Sequence, residues 1–441
     1  MLVLVLAACG NSTKDAGGTT TTAAGKASTD GGEAHRKEFV KLSGVPGVTD
    51  KDITYSVVGT KTGNLLGTCL LDCYVQGIKA YFAYRNSEGG IYGRKLKVGD
   101  VLDDELGQNQ ARSLDVVSSN KSFGNFQAAL LATGWGDLDS AGIPTYTWGI
   151  NSTEAANRSH IFPSLAIRCE DCIHPVLPWA AKHVGATKAA SLGYGVSENS
   201  KVCANTNAEA FKTYEKDSGV KVVYTNDDLD YGLPNGIGPE VTAMKKAGVD
   251  FIATCIDLNG MKTLAQELRR QGMDDVKLYH PNSYDQGAVK QAGSLFEGDV
   301  VGVQFRPFES DSKGTGAEQF ETWMKKQGDK PTELAMTGWI NAATAYEGLL
   351  QAGPRFNRDK VTASTNAIKD WTADGLLEPI NWTTAHTPYT KANPEKEDRA
   401  CAAMVVVKDG KFVPIGSASK PWNCWEAGNK VDFDPTPTNF K

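Results

Sequence analysis

The chain's 441 residues carry 46 basic and 52 acidic side chains for a net charge of -6, and no basic cluster is long enough to track a phosphate backbone, so nucleic acid is excluded as a partner. No P-loop, GxSxG or HExxH pattern occurs, which removes the common hydrolase chemistries, and the length suits two domains.

At the front, Leu6, Ala7, Ala8 and Cys9 read as a lipobox, an aliphatic residue and two small ones before a thiol that a diacylglyceryl group can take. The apolar run from Leu2 to Ala8 is seven residues, far below the roughly 20 a membrane-crossing helix needs. A signal peptide also wants a basic start, and the first positive charge is Lys14, so the basic residues are expected upstream of a truncated start. From Gly10 to about Gly32 the chain is mainly Gly, Ser, Thr, Ala and Asp, a flexible tether with nothing to bury. The expected location is therefore extracytoplasmic, lipid-anchored to a membrane. Eight cysteines remain after Cys9, an even number that suits disulfides in an oxidising compartment. Proximity pairs Cys69 with Cys73, Cys169 with Cys172, Cys203 with Cys255 and Cys401 with Cys424.

Beyond the tether, strands and helices alternate. Asp52–Val58 reads as a strand, Leu71–Asn86 as a helix stopped by Gly89-Gly90, Lys95–Leu102 as a strand and Gly107–Ser119 as a helix. Ser122–Leu130 and Ile143–Trp148 are strands around a short helix at Trp135–Ala141. The pattern restarts with a helix at His174–His183, a strand at Lys188–Gly193, a helix at Ser200–Ser218 and a strand at Val220–Tyr224. A helix at Gly238–Ala247 and a strand at Asp250–Thr254 follow, and Asn259 is placed as the cap of a helix over Gly260–Gln271. Val276–His280 and Asp299–Phe305 are further strands, and helices follow near Ala317–Gln327, Leu334–Ala352 and Asp359–Trp371. A hairpin of Ala403–Val407 and Lys411–Ile415 turns at Asp409-Gly410. Repeated β-α units demand an α/β fold with two doubly wound parallel-sheet lobes.

In such sheets ligands sit beyond the carboxyl ends of the strands. Here those loops are Gly59–Thr68, Leu131–Gly136, Trp148–Thr153, Gly193–Asn199, Cys255–Asn259 and Pro281–Gln286, rich in Thr, Asn, Gly, Tyr and Trp. That composition suits a small polar ligand with one apolar or aromatic portion.

Several segments, taken with the lipobox, resemble one family: Gly77, Ala80, Tyr81–Tyr84 and Asn86; the turn Gly89-Gly90-Ile91-Tyr92-Gly93-Arg94; the strand ending Asp103-Asp104; Ala141-Gly142-Ile143-Pro144; Lys245–Phe251; and Val405–Phe412. The pattern is similar to the type I periplasmic binding proteins, the solute receptors of ABC importers, and among them the branched-chain amino acid (Leu/Ile/Val) receptor group. It covers about 50 to 415. The glycines of the turn read most simply as a helix stop and a turn needing positive φ.

The resemblance implies lobe I over 50–165 plus 305–378 and lobe II over 166–304 plus 379–441, after a signal remnant and linker at 1–49. A three-strand hinge would cross near 164–170, 303–308 and 375–385. In lobe I, Thr133, Gly134 and Trp135 would hold a carboxylate or amide beside Thr147, Trp148 and Asn151, with Thr62 and Asn64 in the first loop. Lobe II would close with Tyr194, Ser197, Asp257 and the loop Asn282, Ser283, Tyr284, Asp285. Related amino acid receptors pair the ligand's ammonium with a second-lobe acid, which is displaced in the loop after His280, so Asp257 is the best substitute. Trp135, Trp148, Tyr194 and Tyr284 would suit a bulkier or flatter side group.

The expected protein is then a binding protein and not an enzyme: a monomer that needs neither metal nor cofactor and whose partners are a small-molecule solute and the ABC permease subunits. A dinucleotide loop at Gly193-Tyr194-Gly195 fails because Glu198 stands where the third glycine would be. Haem attachment fails because Ile173 separates Cys172 from His174, and six histidines with a single Cys-x-x-Cys leave zinc poorly supported. A ligand sensor of the same fold is the alternative. The chain carries neither an attached kinase nor a membrane span, which favours transport.

Overall fold

Burial on both faces is what a central parallel strand requires, and Asp52–Gly59 (β1) has it along most of its length in the computed structural model. The structure describes residues 31–441 apart from 65, 168, 170–171, 388–389, 391–398 and 427–431; Cys9 and the tether lie outside the described residues. β1 pairs in parallel with Lys95–Asp103 (β2) and Gly124–Ala128 (β3), and Thr145–Thr147 (β4) and Ile161–Pro163 (β5) extend the sheet in the order β2-β1-β3-β4-β5.

The helix Leu71–Ser87 covers one face of this sheet and packs closely on the later helix Glu333–Ala352. The contact is backbone to backbone: a Cβ on Gly77 would overlap the Ala335 carbonyl, and one on Gly338 the Tyr74 carbonyl. On the other face Val116 and Leu138, from the helices Asn109–Ser119 and Trp135–Ser140, meet Val58 and Ile143.

The second sheet is nine-stranded. Lys188–Tyr194 (β6), Lys221–Leu229 (β7), Phe251–Cys255 (β8), Lys277–His280 (β9) and Val300–Val303 (β10) are parallel. Arg399–Lys408 (β11), Lys411–Pro414 (β12), Trp422–Glu426 (β13) and Thr436–Thr438 (β14) add an antiparallel flank, giving β14-β13-β11-β10-β9-β8-β6-β7 with β12 on β11. The sequence suggests only the β11–β12 hairpin here. β13 and β14 are only five and three residues long, too short for a period to be read.

The chain crosses between the halves after β5, returns after β10 to pack the helices Gly316–Gln327 and Glu333–Ala352 on the first half, and crosses again before β11, which pairs with β10. The last crossing comes later than expected. The helix Trp382–Ala385 still packs on Phe162 of the first half, and the His386 carbonyl accepts the Asn157 amide. Four disulfides join neighbouring cysteines: 69–73, 169–172, 203–255 and 401–424. The last clamps directly opposed residues of β11 and β13.

Candidate functional site

The carboxyl ends of β3 and β4 in one half and of β6, β7, β8 and β9 in the other open on a shared cavity of about 450 Å³. The first half contributes Leu66, Leu130, Ile150 and Asn151. The second contributes Tyr194, Ser197, Asn199, Ser200, Tyr231, Ile256, Asp257, Pro281 and Asn282, with the Cys203–Cys255 disulfide in the wall. The halves meet at its edge. Gly67, at φ 77°, lies so close to Asn259 that a Cβ would stand 2.8 Å from its amide oxygen.

Local chemistry fixes the second wall. Ser200 Oγ accepts the Tyr194 amide at 2.7 Å and donates to the Cys255 carbonyl at 2.6 Å, so one hydroxyl ties the ends of β6 and β8 to the helix Glu198–Thr213. Ser197 caps that helix by accepting the Ser200 amide. Asp257 caps the helix Leu258–Arg270 through Oδ1, which accepts the amides of Asn259 at 2.8 Å and Gly260 at 3.1 Å. Its Oδ2 accepts the Tyr194 hydroxyl at 2.6 Å. Gly260 makes this possible, because a Cβ there would overlap that hydroxyl.

The Tyr194 ring packs 4.8 Å from that of Tyr231, tilted at 46°. Burial, and after it the neighbouring Asp257 carboxylate, push the Tyr194 phenol well above its ordinary value, so it stays a neutral donor. Tyr231 is raised by the same two causes in the same order.

Of the sequence-predicted residues, Asn151, Tyr194, Ser197, Asp257 and Asn282 line the cavity. Asn151 already spends its amide on the Ala129 carbonyl at 3.0 Å. The others stand elsewhere. Trp135 is buried in a small core with Ala132, Ala155, Ile161 and Ile167. The Gly134 amide donates to Asn109 at the start of its helix, and Thr133 is exposed outside the lining. Thr147 is buried within β4, and Trp148, equally buried, donates its indole N–H to Gln304 at 3.1 Å. The Thr62 amide donates to Asp103, and Asn64 closes its own loop through the Thr68 carbonyl and the Leu66 amide.

Tyr284 points away from the cavity: its hydroxyl donates to Glu309 at 2.6 Å and its ring packs on Phe305, Phe308 and Phe412. Asp285 caps the helix Gln286–Ala292. Asp257, expected to face a ligand ammonium, is spent on a helix cap and a phenol. Among the described residues no group of three or more His, Cys, Asp or Glu is arranged to hold a metal ion.

Sequence reasoning passed over Tyr231, Leu66, Leu130, Ile150 and Ile256. Tyr231 follows β7, which runs to Leu229 rather than stopping at Tyr224, so its loop lies beyond the strand end that the sequence predicts. The aliphatic residues sat in or beside loops where polar groups were preferred.

The fold recurs in known proteins. The periplasmic binding protein family model matches residues 57–411. The fold is similar to a substrate-binding periplasmic protein from Ralstonia solanacearum at 17% identity and TM-score 0.63, covering 82% of this chain and 99% of that one. It is similar to an ABC transporter substrate-binding protein from Aeropyrum pernix at 13% identity and TM-score 0.65, covering 87% and 98%. A third likeness is LivJ of Streptococcus pneumoniae, a branched-chain amino acid transporter substrate-binding protein in complex with isoleucine, at 16% identity and TM-score 0.62, covering 82% and 98%. No curated protein sequence matches the chain. On the extent of the family match and the two-sheet architecture that the solved structures share, this chain belongs to the type I periplasmic binding proteins.

Proposed function

We propose that the chain is an extracytoplasmic, lipid-anchored receptor that captures a small solute between its two halves and delivers it to the permease of an ABC importer, without breaking a bond. The observation that carries this reading is the cavity at the carboxyl ends of both sheets, walled by Leu66, Leu130, Ile150 and Asn151 on one side and Tyr194, Ser197, Asp257 and Asn282 on the other. A solute touching both walls stabilises the arrangement in which they face each other, and three crossovers allow the halves to swing. The solved relatives named above supply the transport context by analogy of fold.

Two results are expected. In a screen of small metabolites, a solute at 100 times its dissociation constant adds about 2.7 kcal/mol of stability, visible as a thermal shift, and contracts the protein in small-angle scattering. A screen with no shift, or a shift with an unchanged radius of gyration, removes the receptor reading. For the anchor, Cys9→Ser should move the protein from the membrane fraction to the medium or periplasm and abolish labelling by a fatty-acid probe; continued labelling places the lipid elsewhere.

A further inference from the structure

We infer that the solute taken by this cleft is uncharged, with a flat apolar body and an amide or hydroxyl group, and is not an α-amino acid zwitterion. The inference rests on the cleft being the solute site and adds the chemical class. On one side stand Leu66, Leu130 and Ile150; facing them is the Tyr194–Tyr231 pair, of which Tyr231 is 38% exposed. A ring slipped over Tyr231 gains offset stacking there and aliphatic contact opposite.

Apart from Asp257, the polar groups between these walls are neutral. Asn151, Ser197, Asn199 and Asn282 present amides and hydroxyls, and no described lining residue is Lys, Arg or His. A ligand carboxylate would otherwise turn to a helix N-terminus, where free amides and the dipole favour an anion. Two helices of the second half begin at the lining, and each carries its own side-chain cap: Ser197 and Asp257. The Asp257 cap is a carboxylate, which fills the positive end of its helix and repels another anion.

A ligand ammonium fares no better. Asp257 is the one acid among the described lining residues, and its oxygens already hold two backbone amides and the Tyr194 hydroxyl. Three donors compensate its charge, so taking a cation out of water beside it returns one remaining lone pair for a full desolvation cost. A neutral amide or hydroxyl meets the Asn and Ser groups without that cost.

Calorimetric titration of the full protein with one body in four charge states tests this. The probes are 3-phenylpropanamide, 3-phenylpropanoate, 3-phenylpropylamine and L-phenylalanine, alongside the matching set on a 4-methylpentyl body with L-leucine as its zwitterion. The amide with the ring is expected to bind at least tenfold more tightly than any of its charged relatives and than the aliphatic amide. Tyr231→Ala should weaken that amide tenfold or more, and Tyr231→Phe should restore it. Binding of an anion, cation or zwitterion as tight as the amide's, silence of both amides, or indifference of the ring amide to Tyr231→Ala overturns the assignment. In those cases contraction in scattering with any charged compound, or with another solute from the wider screen, leaves the receptor reading standing; its absence with every compound removes that reading instead.

Discussion

Asp257→Ala is expected to lower unfolding stability by about 2–4 kcal/mol and to abolish solute-induced stabilisation, whatever the solute. Two losses add. The first is the cap of the helix Leu258–Arg270, whose opening amides of Asn259 and Gly260 lose their acceptor, at about 1 kcal/mol. The second is the buried Tyr194 hydroxyl, left without its acceptor at 2.6 Å, at about 1–3 kcal/mol. Freed from that bond, the Tyr194 ring and the Tyr231 ring packed on it no longer hold the second wall of the cleft in place.

Asp257→Asn separates cap from charge. Asparagine caps as well as aspartate and keeps an oxygen for the amides, so its cost should stay below about 1 kcal/mol. Urea unfolding of both variants, with Tyr194→Phe to close a double-mutant cycle, provides the measurement. A cost for Asp257→Asn equal to that of Asp257→Ala means that the negative charge, rather than the cap, is what the site requires. A vanishing coupling between Tyr194 and Asp257 means that their hydrogen bond carries no stability.

The identity of the fold was legible because its turns demand particular residues. Gly89, Gly90 and Gly93 have φ of 102°, 71° and 71°, and a Cβ on Gly90 would overlap the Arg94 carbonyl, so the glycines that mark the family are there for the backbone. The parallel strands read clearly where they are buried on both faces, as in Phe251–Cys255. At the sheet margin the same logic fails: β7 is an edge strand, half exposed and ending in Thr225, Asn226, Asp227 and Asp228, so nothing apolar signals that it continues to Leu229.

The cleft was harder to read for a related reason. A loop residue's type says what it can bond, and only the fold says whether another part of the chain has already taken that bond. Trp148, Tyr284 and Asp285 all have the right chemistry for a ligand, yet each is spent on Gln304, Glu309 or a helix start. Asn259 and Asp257 both look like caps. The extended backbone of Asp257, with φ −73° and ψ 170°, decides which one is, and no spacing rule distinguishes two such residues only two positions apart.

Glu333→Gln should stabilise the protein at pH 8.5 and leave it nearly unchanged at pH 4.5, with a gap on the order of a few kcal/mol at the higher pH. Glu333 opens the helix Glu333–Ala352 of the first half, yet it is only 6% exposed, and its Oε1 has no hydrogen-bond partner. Burial first, and then the negative charge of Asp285 from the second half, push its carboxyl up to about 8, with the Tyr284 backbone amide opposing them. Nearby, Glu309 is also raised, by burial, against the Tyr284 hydroxyl that bonds it. The helix N-terminus favours a charged Glu333 by only about 0.3–1 kcal/mol, too little to offset its burial.

The sign follows from linkage. The folded value lies above the ordinary 4.5, so the native state is at its relative best below that pH, where Glu333 is protonated folded and unfolded alike. As pH rises the unfolded chain releases this proton first, stability falls, and the loss is complete once the folded carboxyl has ionised above about 8. Glutamine has no proton to release. Urea unfolding of both proteins from pH 4.5 to 8.5 should therefore give curves that coincide at the acid end and diverge steadily. Parallel curves would show Glu333 ionised within the fold. Asp285→Asn, which keeps a helix cap while removing the facing charge, should narrow the divergence without abolishing it, since burial is the larger cause. Because Glu333 and Asp285 belong to opposite halves, ionisation at alkaline pH also sets two like charges against each other across the junction, so solute affinity in the wild type should weaken above pH 8 while that of Glu333→Gln holds.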